Sequence, residues 1–305
     1  MTASGKLRAL AASARLANLP SVLGNVGVGV VIAWCATGNV RLDAAPALAM
    51  AAGASLYLSG NLLNDWWDLR WDSEHRPERA LPRGFFRPGE FLGMAAGLAA
   101  LGLGLAVLVS RGCLLTAACI VPAILVYTAA HKRTPLAVLC VAFCRALLPV
   151  LGFAAVAPLT AALEPVSLVL LVPACAALMG YVTALSLDAR WESAPSPPRF
   201  ARWAAFGLFA AALGVTRPVL SLWPLAALPC LFWLVLCHSV FRHPVSVRVS
   251  NLLAGIPLVD ALTLLPLAHS ELPAGQAPWL QPAVAGLPFA CLLAGKLLQR
   301  LAPAT

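Results

Sequence analysis

An all-α integral membrane protein, a bundle of about ten transmembrane helices, is the fold the sequence predicts, and three observations predict it. Hydrophobic residues fill 61% of the 305 positions and charged residues only 11%, with a mean hydropathy of +0.85. That composition lies outside the range of domains whose surfaces face water. The apolar residues are gathered into runs long enough to cross a bilayer as helices. Basic residues collect at alternate ends of those runs, as they do where cytoplasmic segments hold the excess of Lys and Arg.

Taken in order, the first run, 19–37, follows Lys6, Arg8 and Arg15. The runs 43–64 and 91–109 flank a polar stretch that carries Arg70, Arg76, Arg79, Arg83 and Arg87. Runs 113–130 and 136–157 meet across Lys132 and Arg133, and 166–187 leads into Arg190, Arg199 and Arg202. The run 201–215 is short for a span and closely followed by Arg217-Pro218, so it is either one arm of a tight hairpin or only partly inserted. Runs 219–239 and 249–268 flank Arg242 and Arg248, and 279–297 ends beside Lys296 and Arg300. If all ten cross, every basic residue of the 21 except Arg41, Arg111, Arg217 and the intramembrane Arg145 falls on one side. Both termini are then expected in the cytoplasm, and the absence of any organelle address adds the expectation of the plasma (inner) membrane.

The whole chain, 1–305, reads as a single transmembrane domain with two polar loops, an aspartate-rich one at 64–90 and a degenerate one at 181–200. The basic start leads into a full-length span with no short apolar core and no small-residue cleavage site, so no cleaved signal peptide is expected. The nine cysteines lie mostly within spans without metal-ligand spacing and read as small packing residues. Orientation and anionic lipid headgroups explain the net charge of +9, with no nucleic acid required.

The acidic residues carry the chemistry. Of only twelve, Asp65, Asp68, Asp72, Glu74, Glu78 and Glu90 share the first loop, and Asp188 and Glu192 the second. Asn64, Asp68 and Asp72 stand at i, i+4 and i+8, so on a helix they drift by about 40° per step and form one stripe. Stacked carboxylates repel one another unless a cation or water intervenes. Hard oxygen donors in small number suit Mg²⁺, which keeps waters and takes its other ligands from substrate phosphates. A diphosphate is the expected partner, with Arg76, Arg79, Lys132 and Arg133 to receive its charge.

With these residues in view, the chain resembles the UbiA-type intramembrane prenyltransferases. Their first signature stands here as NDWWDLRWD (64–72) followed by RPERALPRG (76–84). The stretches RLANLPSVLGNV (15–26), YTAAHKRTPLAVL (127–139), FCRALLP (143–149) and GIPLVDAL (255–262) resemble an EboC-like branch of that family. The resemblance implies an all-α bundle of nine to ten transmembrane helices around a central cavity and Mg²⁺-dependent transfer of an isoprenyl group from an allylic prenyl diphosphate to a small hydrophobic or aromatic acceptor. It implies that Asn64, Asp65, Asp68 and Asp72 hold the metal, that Asp68, Asp72, Lys132 and Arg133 act in catalysis, and that Arg76 and Arg79 bind the diphosphate. Inside the bundle it puts Asn18, Asn25, Tyr127 and Arg145 among the substrate-binding groups.

A second metal site is implied at YVTALSLDARWES (181–193), where Asp188 and Glu192 are the only acids. The offset from Tyr181 is one residue short of the family pattern, and Glu replaces the final Asp. Two isolated intramembrane charges remain, Arg145 and Asp260; such groups face the bundle interior or one another, and both a direct pair and a role in binding the acceptor are open. The rival class is a non-catalytic or transport-type carrier of a lipid-like metabolite, for which Asp260 rather than Asp68 and Asp72 would be essential.

Overall fold

The computed structural model describes residues 3–190, 222–273, 275 and 277–302, together with 207, 209–212 and 214. Among these the regular structure is helical throughout. The helices are α1 (Ala3–Ser13), α2 (Leu19–Thr37), α3 (Ala44–Trp67), α4 (Leu69–His75), α5 (Pro88–Val109), α6 (Arg111–Ala130), α7 (Val138–Val156) and α8 (Pro165–Arg190). After the sparsely described stretch follow α9 (Trp223–Ser239), α10 (Val245–Ala254), α11 (Ile256–Ser270) and α12 (Leu280–Gln299).

Seven helical stretches among the described residues are long and apolar enough to cross a membrane. The predicted 43–64 run is present as α3 but is not one of the seven. Its buried Ser55, Ser59, Asn61, Asn64 and Asp65 lower its hydropathy, because this helix turns a polar stripe inward rather than meeting lipid all round. The 219–239 run is present as the 17-residue α9, shorter than a typical span. The 201–215 run lies mostly outside the described residues. The predicted 249–268 run is divided into α10 and α11 at Gly255, with Pro257 in the first turn of α11.

The distribution of polarity is that of a protein dissolved in lipid. Large apolar side chains such as Val107, Leu108, Leu115, Phe232 and Leu293 are exposed, while Asn25, Asn61, Arg145, Arg248 and Asp260 are buried. Exposed apolar area on this scale is a liability in water and the normal condition in a bilayer.

The buried axis of the bundle is α2, which touches α3, α7, α8, α11 and α12. Its contact with α7 is backbone on backbone. A Cβ on Gly29 would stand 1.7 Å from the carbonyl oxygen of Pro149, and one on Gly152 would stand 1.9 Å from that of Val26. Paired glycines permit this approach, and close backbone packing is what holds helices together where lipid supplies no hydrophobic drive. The crossing fixes α7 against α2 and thereby sets Arg145 beside Asn25. On the other side of α2, α3 packs mainly against α5, which leaves the inward stripe of α3 to face α6 and α7.

Candidate active site

The chain does not stop being helical where α3 ends. Asp68 caps α3 with φ −84° and ψ 0°, and α4 restarts one residue later. Across this break the amide of Asp68 donates to the Asn64 carbonyl (2.9 Å), that of Asp72 to Asp68 (2.8 Å) and that of Arg76 to Asp72 (2.8 Å). The i, i+4, i+8 stripe is therefore kept in register, and all of Asn64, Asp65, Asp68 and Asp72 are buried, Asp72 to 1% exposure.

Each carboxylate meets a cation drawn from the next turn or the next helix. Arg79 Nη1 bridges Asp65 Oδ1 (3.2 Å) and Asp72 Oδ2 (2.8 Å). From the end of α6, His131 Nε2 lies 3.0 Å and Lys132 Nζ 3.3 Å from Asp68 Oδ2. The Asn64 amide donates to the same oxygen at 3.3 Å. The Lys132 ammonium also stands 3.4 Å from the centroid of the Trp71 ring, a cation–π contact that ties α4 to the α6 end. His131 Nδ1 lies near the carbonyl oxygens of Tyr127 (3.2 Å) and Thr128 (3.0 Å), fixing the ring plane.

These surroundings split the two aspartates electrostatically. Burial opposes ionisation of Asp68, but the hydrogen bond and charge of His131, with Lys132 behind them, more than offset it and hold the carboxyl below its ordinary range. At Asp72 burial outweighs Arg79, and the neighbouring Asp65 and Asp68 charges add to it, so this carboxyl is raised. Burial likewise lowers Lys132, against the pull of Asp68.

Two acceptor atoms in this cluster, Asn64 Oδ1 and Asp72 Oδ1, both inaccessible, have no donor among the described residues. Buried oxygens without a partner are costly, and a hard cation is a group that would satisfy them. Among the described residues no three His, Cys, Asp or Glu side chains converge closely enough to hold a metal alone. Both observations fit Mg²⁺, which binds through one or two carboxylates and completes its shell with water and phosphate oxygens.

Beneath the stripe, between α3, α6 and α7, lies a cavity of about 120 Å³. Asn64, Asn61, Tyr57 and Gly53 line it from α3, and Tyr127 and Ile124 from α6. Arg145 and Leu148 close it from α7. A more open depression of about 390 Å³ adjoins the outer face of Asp68, bordered by Trp67, Arg70, Trp71, Lys132 and Arg133.

A family model described as the UbiA prenyltransferase family matches residues 22–252. The chain belongs to that family. Two digeranylgeranylglyceryl phosphate synthases are similar to it in part. That of Methanopyrus kandleri is 35% identical over 109 residues, 36% of this chain and 40% of that protein. That of Ignicoccus hospitalis is 40% identical over 109 residues, 35% of this chain and 34% of that protein. The matched stretch thus spans well under half the length of these relatives. The apo structure of a UbiA homolog from Aeropyrum pernix K1 superposes with a TM-score of 0.51 at 17% identity, covering 92% of this chain and 98% of that one. The multi-pass helical architecture is thus that of the UbiA family.

Within this UbiA fold, the other residues singled out in the sequence are placed as follows. Arg76 and Arg133 make no ion pair among the described residues. Tyr127 lines the cavity and stacks on His131, ring centroids 5.1 Å apart. Asn18 is buried with its Oδ1 unpartnered and is not part of the cavity wall. Asn25 accepts from Arg145 Nη1 at 2.8 Å and donates to both oxygens of Asp260 at 2.8 and 2.9 Å. Arg145 and Asp260 are therefore bridged rather than directly paired. Asp188 accepts from Arg248 through both carboxylate oxygens, each at 2.8 Å, and Glu192 lies outside the described residues.

His131, Arg248 and Arg15 are among the contributors whose roles the sequence does not reveal, as are Tyr57 and Asn61. His131 precedes the Lys132-Arg133 pair, and its place four residues after Tyr127 on α6 was the available signal. Arg248 had been counted only as an orientation charge. Arg15, whose Nη1 donates to Asn61 Oδ1 at 2.7 Å, had been counted the same way.

Proposed function

We propose that this protein transfers an isoprenyl group from an allylic prenyl diphosphate to a small acceptor inside the membrane, with Mg²⁺ at the first aspartate motif. The observation that carries the proposal is the pair of unpartnered buried oxygens, Asn64 Oδ1 and Asp72 Oδ1, set among cationic side chains at the mouth of a cavity in the bundle. Asn64, Asp68 and Asp72 would hold the metal, with Asp65 behind them through Arg79. When bound, Mg²⁺ supplies charge neutralisation to the diphosphate oxygens.

The protein's own groups have distinct tasks. Lys132 and Arg133, with Arg76 and Arg79 across the loop, receive negative charge as the bond between the allylic C1 and the diphosphate oxygen breaks. Lys132 is held in place by Asp68 and Trp71, so its charge is positioned before the substrate arrives. The cavity walls of Leu56, Ile120, Ile124, Val141 and Leu148 exclude water, which would otherwise capture the allylic cation. The acceptor then forms its bond to C1 and loses a proton, and the diphosphate departs as the leaving group.

A small aromatic acceptor remains part of this reading; the names of the two partial relatives add a glyceryl phosphate as a second candidate class. The stretches at 15–26, 127–139, 143–149 and 255–262 support a place in an EboC-like branch. We read 1–305 as one domain, with the working loop at 64–90 and a degenerate second polar loop at 181–200, where Asp188 is paired with Arg248. The distribution of basic residues supports cytoplasmic termini, and the family resemblance supports the plasma (inner) membrane. The carrier alternative draws no support from Asp260, whose oxygens are both engaged by Asn25 and which does not line the cavity.

The test is product formation. Purified protein in lipid, supplied with Mg²⁺, geranyl-, farnesyl- or geranylgeranyl-diphosphate and a panel of aromatic and glyceryl phosphate acceptors, is expected to yield a lipid-extractable prenylated product with at least one combination. Absence of product with every combination, together with no Mg²⁺-dependent donor binding, rejects the enzymatic reading.

A further inference from the structure

The cavity beneath the aspartate motif has an unusual charge balance. It is lined by two guanidinium groups, Arg15 and Arg145, and by no carboxylate. Each is held in place by a neutral side-chain carbonyl: Arg15 by Asn61 Oδ1 at 2.7 Å and Arg145 by Asn25 Oδ1 at 2.8 Å. Arg145 is only 6% exposed, yet Nη1 is the one nitrogen with a protein acceptor among the described residues. A guanidinium carries five N–H donors, and a buried cation is stable only when paired and hydrogen-bonded. Its nearest acid, Asp260, spends both oxygens on the Asn25 amide and so reaches Arg145 only through a dipole.

The Tyr57 ring takes up one face of the guanidinium, at 5.3 Å from Cζ to centroid. The hydrogen-bonding edge is left toward the cavity. Asn25 and Tyr57 thus hold the fork still without satisfying it, the arrangement expected of a group reserved for a bidentate oxyanion. Tyr57 lies seven residues, about 10 Å, below Asn64 along α3, so Asn64 marks the metal-side end of the cavity and Arg145, beside Tyr57, lines it further down.

We propose that this cavity is the acceptor's site and that Arg145 reads an oxyanion on the acceptor, a carboxylate or a phosphate, while the nucleophilic end points up toward the donor. This rests on the prenyltransferase reading only for the word acceptor; the anion site stands or falls separately. A cavity of about 120 Å³ corresponds to roughly four waters at their liquid share, enough for one ring or a three-carbon phosphate and too small for a second isoprenoid chain. Arg145 is thereby a specificity residue, and Asn25 with Asp260 are positioning residues acting through it.

The experiment measures direct binding to the full-length protein in lipid nanodiscs, without donor, using two anion–isostere pairs: benzoate against benzamide, and glycerol phosphate against glycerol. Wild type is expected to bind one of the anions at least about tenfold more tightly than its neutral isostere, the discrimination that a charge-assisted hydrogen bond to a buried cation provides. Arg145→Gln is expected to erase that preference and Arg145→Lys to restore part of it. The wild-type comparison alone decides the matter if either variant fails to fold. Which anion is preferred separates an aromatic carboxylate from a phosphate-bearing acceptor. The proposal is overturned if neither anion is preferred over its isostere, if the preference survives in folded Arg145→Gln, or if Mg²⁺-pyrophosphate displaces the bound anion competitively, which would place it in the donor's site. Anion preference in a protein that yields no prenylated product would support the anion site and reject the enzymatic reading.

Discussion

Arg145 and Asp260, the two charges that the sequence leaves isolated in the membrane, do not touch. Asn25 stands between them, accepting from Arg145 Nη1 at 2.8 Å and donating to Asp260 at 2.8 and 2.9 Å. An asparagine is the residue for this place because its amide has both an acceptor and donors. Asn25→Leu strips both charges of their partner at once, and breaking such a buried contact costs on the order of 3–5 kcal/mol. A markedly lower unfolding midpoint in detergent is expected for Asn25→Leu, with Asn25→Gln intermediate; an unchanged midpoint for Asn25→Leu would show that the bridge is not structural.

Asp188 and Arg248 form a buried, doubly hydrogen-bonded pair that joins the end of α8 to α10. Removing one partner leaves an uncompensated charge, whereas removing both leaves none. Arg248→Met and Asp188→Leu are each expected to lose about 3–5 kcal/mol, and the double variant to lose clearly less than the sum. A double-mutant cycle in detergent measures the coupling; strict additivity would mean that the pair is not formed.

The opposed shifts of Asp68 and Asp72 give a pH signature. Asp72 is raised, so its carboxylate, and with it the affinity for Mg²⁺, is lost as pH falls through a value above the ordinary carboxylate range. Asp68 is lowered, so it stays ionised to more acid pH; the stability it adds is present above its unfolded pKa and disappears only as pH falls through the lower folded one. Mg²⁺ titrations at a series of pH values, followed by tryptophan fluorescence, are expected to show an acid limb that Asp72→Asn removes. A limb unaltered in Asp72→Asn would assign the titration to another group.

The α2–α7 crossing makes a steric prediction with an internal control. Gly152→Ala places a methyl group where the Val26 carbonyl oxygen already lies, 1.9 Å away, and is expected to abolish folding or displace α7. Gly97→Ala, on α5 with nothing within 4 Å of its added carbon, is expected to be neutral or to gain up to about 1 kcal/mol from helix propensity. Yields of monodisperse protein from the two variants decide this, and equal yields would contradict the close crossing.

Much of the architecture was legible in the sequence because membrane solvation writes itself into long apolar runs and the alternation of Lys and Arg. Among the described residues, nine of the ten predicted runs are helical, and the run that lies mostly outside them, 201–215, was also the shortest. The Asn64–Asp68–Asp72 stripe was legible because it is local: three side chains on successive turns need no tertiary information. Its cationic partners were only half legible. Lys132 was visible as a basic residue of the facing loop, but the part of His131 depends on how α6 ends against α3. The Asn25–Arg145–Asp260 chain links residues 120 and 235 positions apart, and no periodicity records which faces of three distant helices meet. The Asp188–Arg248 pairing was hidden for the same reason.

The most direct measurement is Mg²⁺-dependent release of diphosphate from geranyl-, farnesyl- and geranylgeranyl-diphosphate by purified protein in lipid, comparing wild type with Asp68→Ala and Asp72→Ala. Release by wild type with at least one donor, and loss of about 100-fold or more in both folded variants, as expected when groups stabilising transition-state charge are removed, is the predicted result. Undiminished release in the folded variants, or no release and no Mg²⁺-dependent binding of any of the three donors by wild type, would contradict a donor site at the aspartate motif.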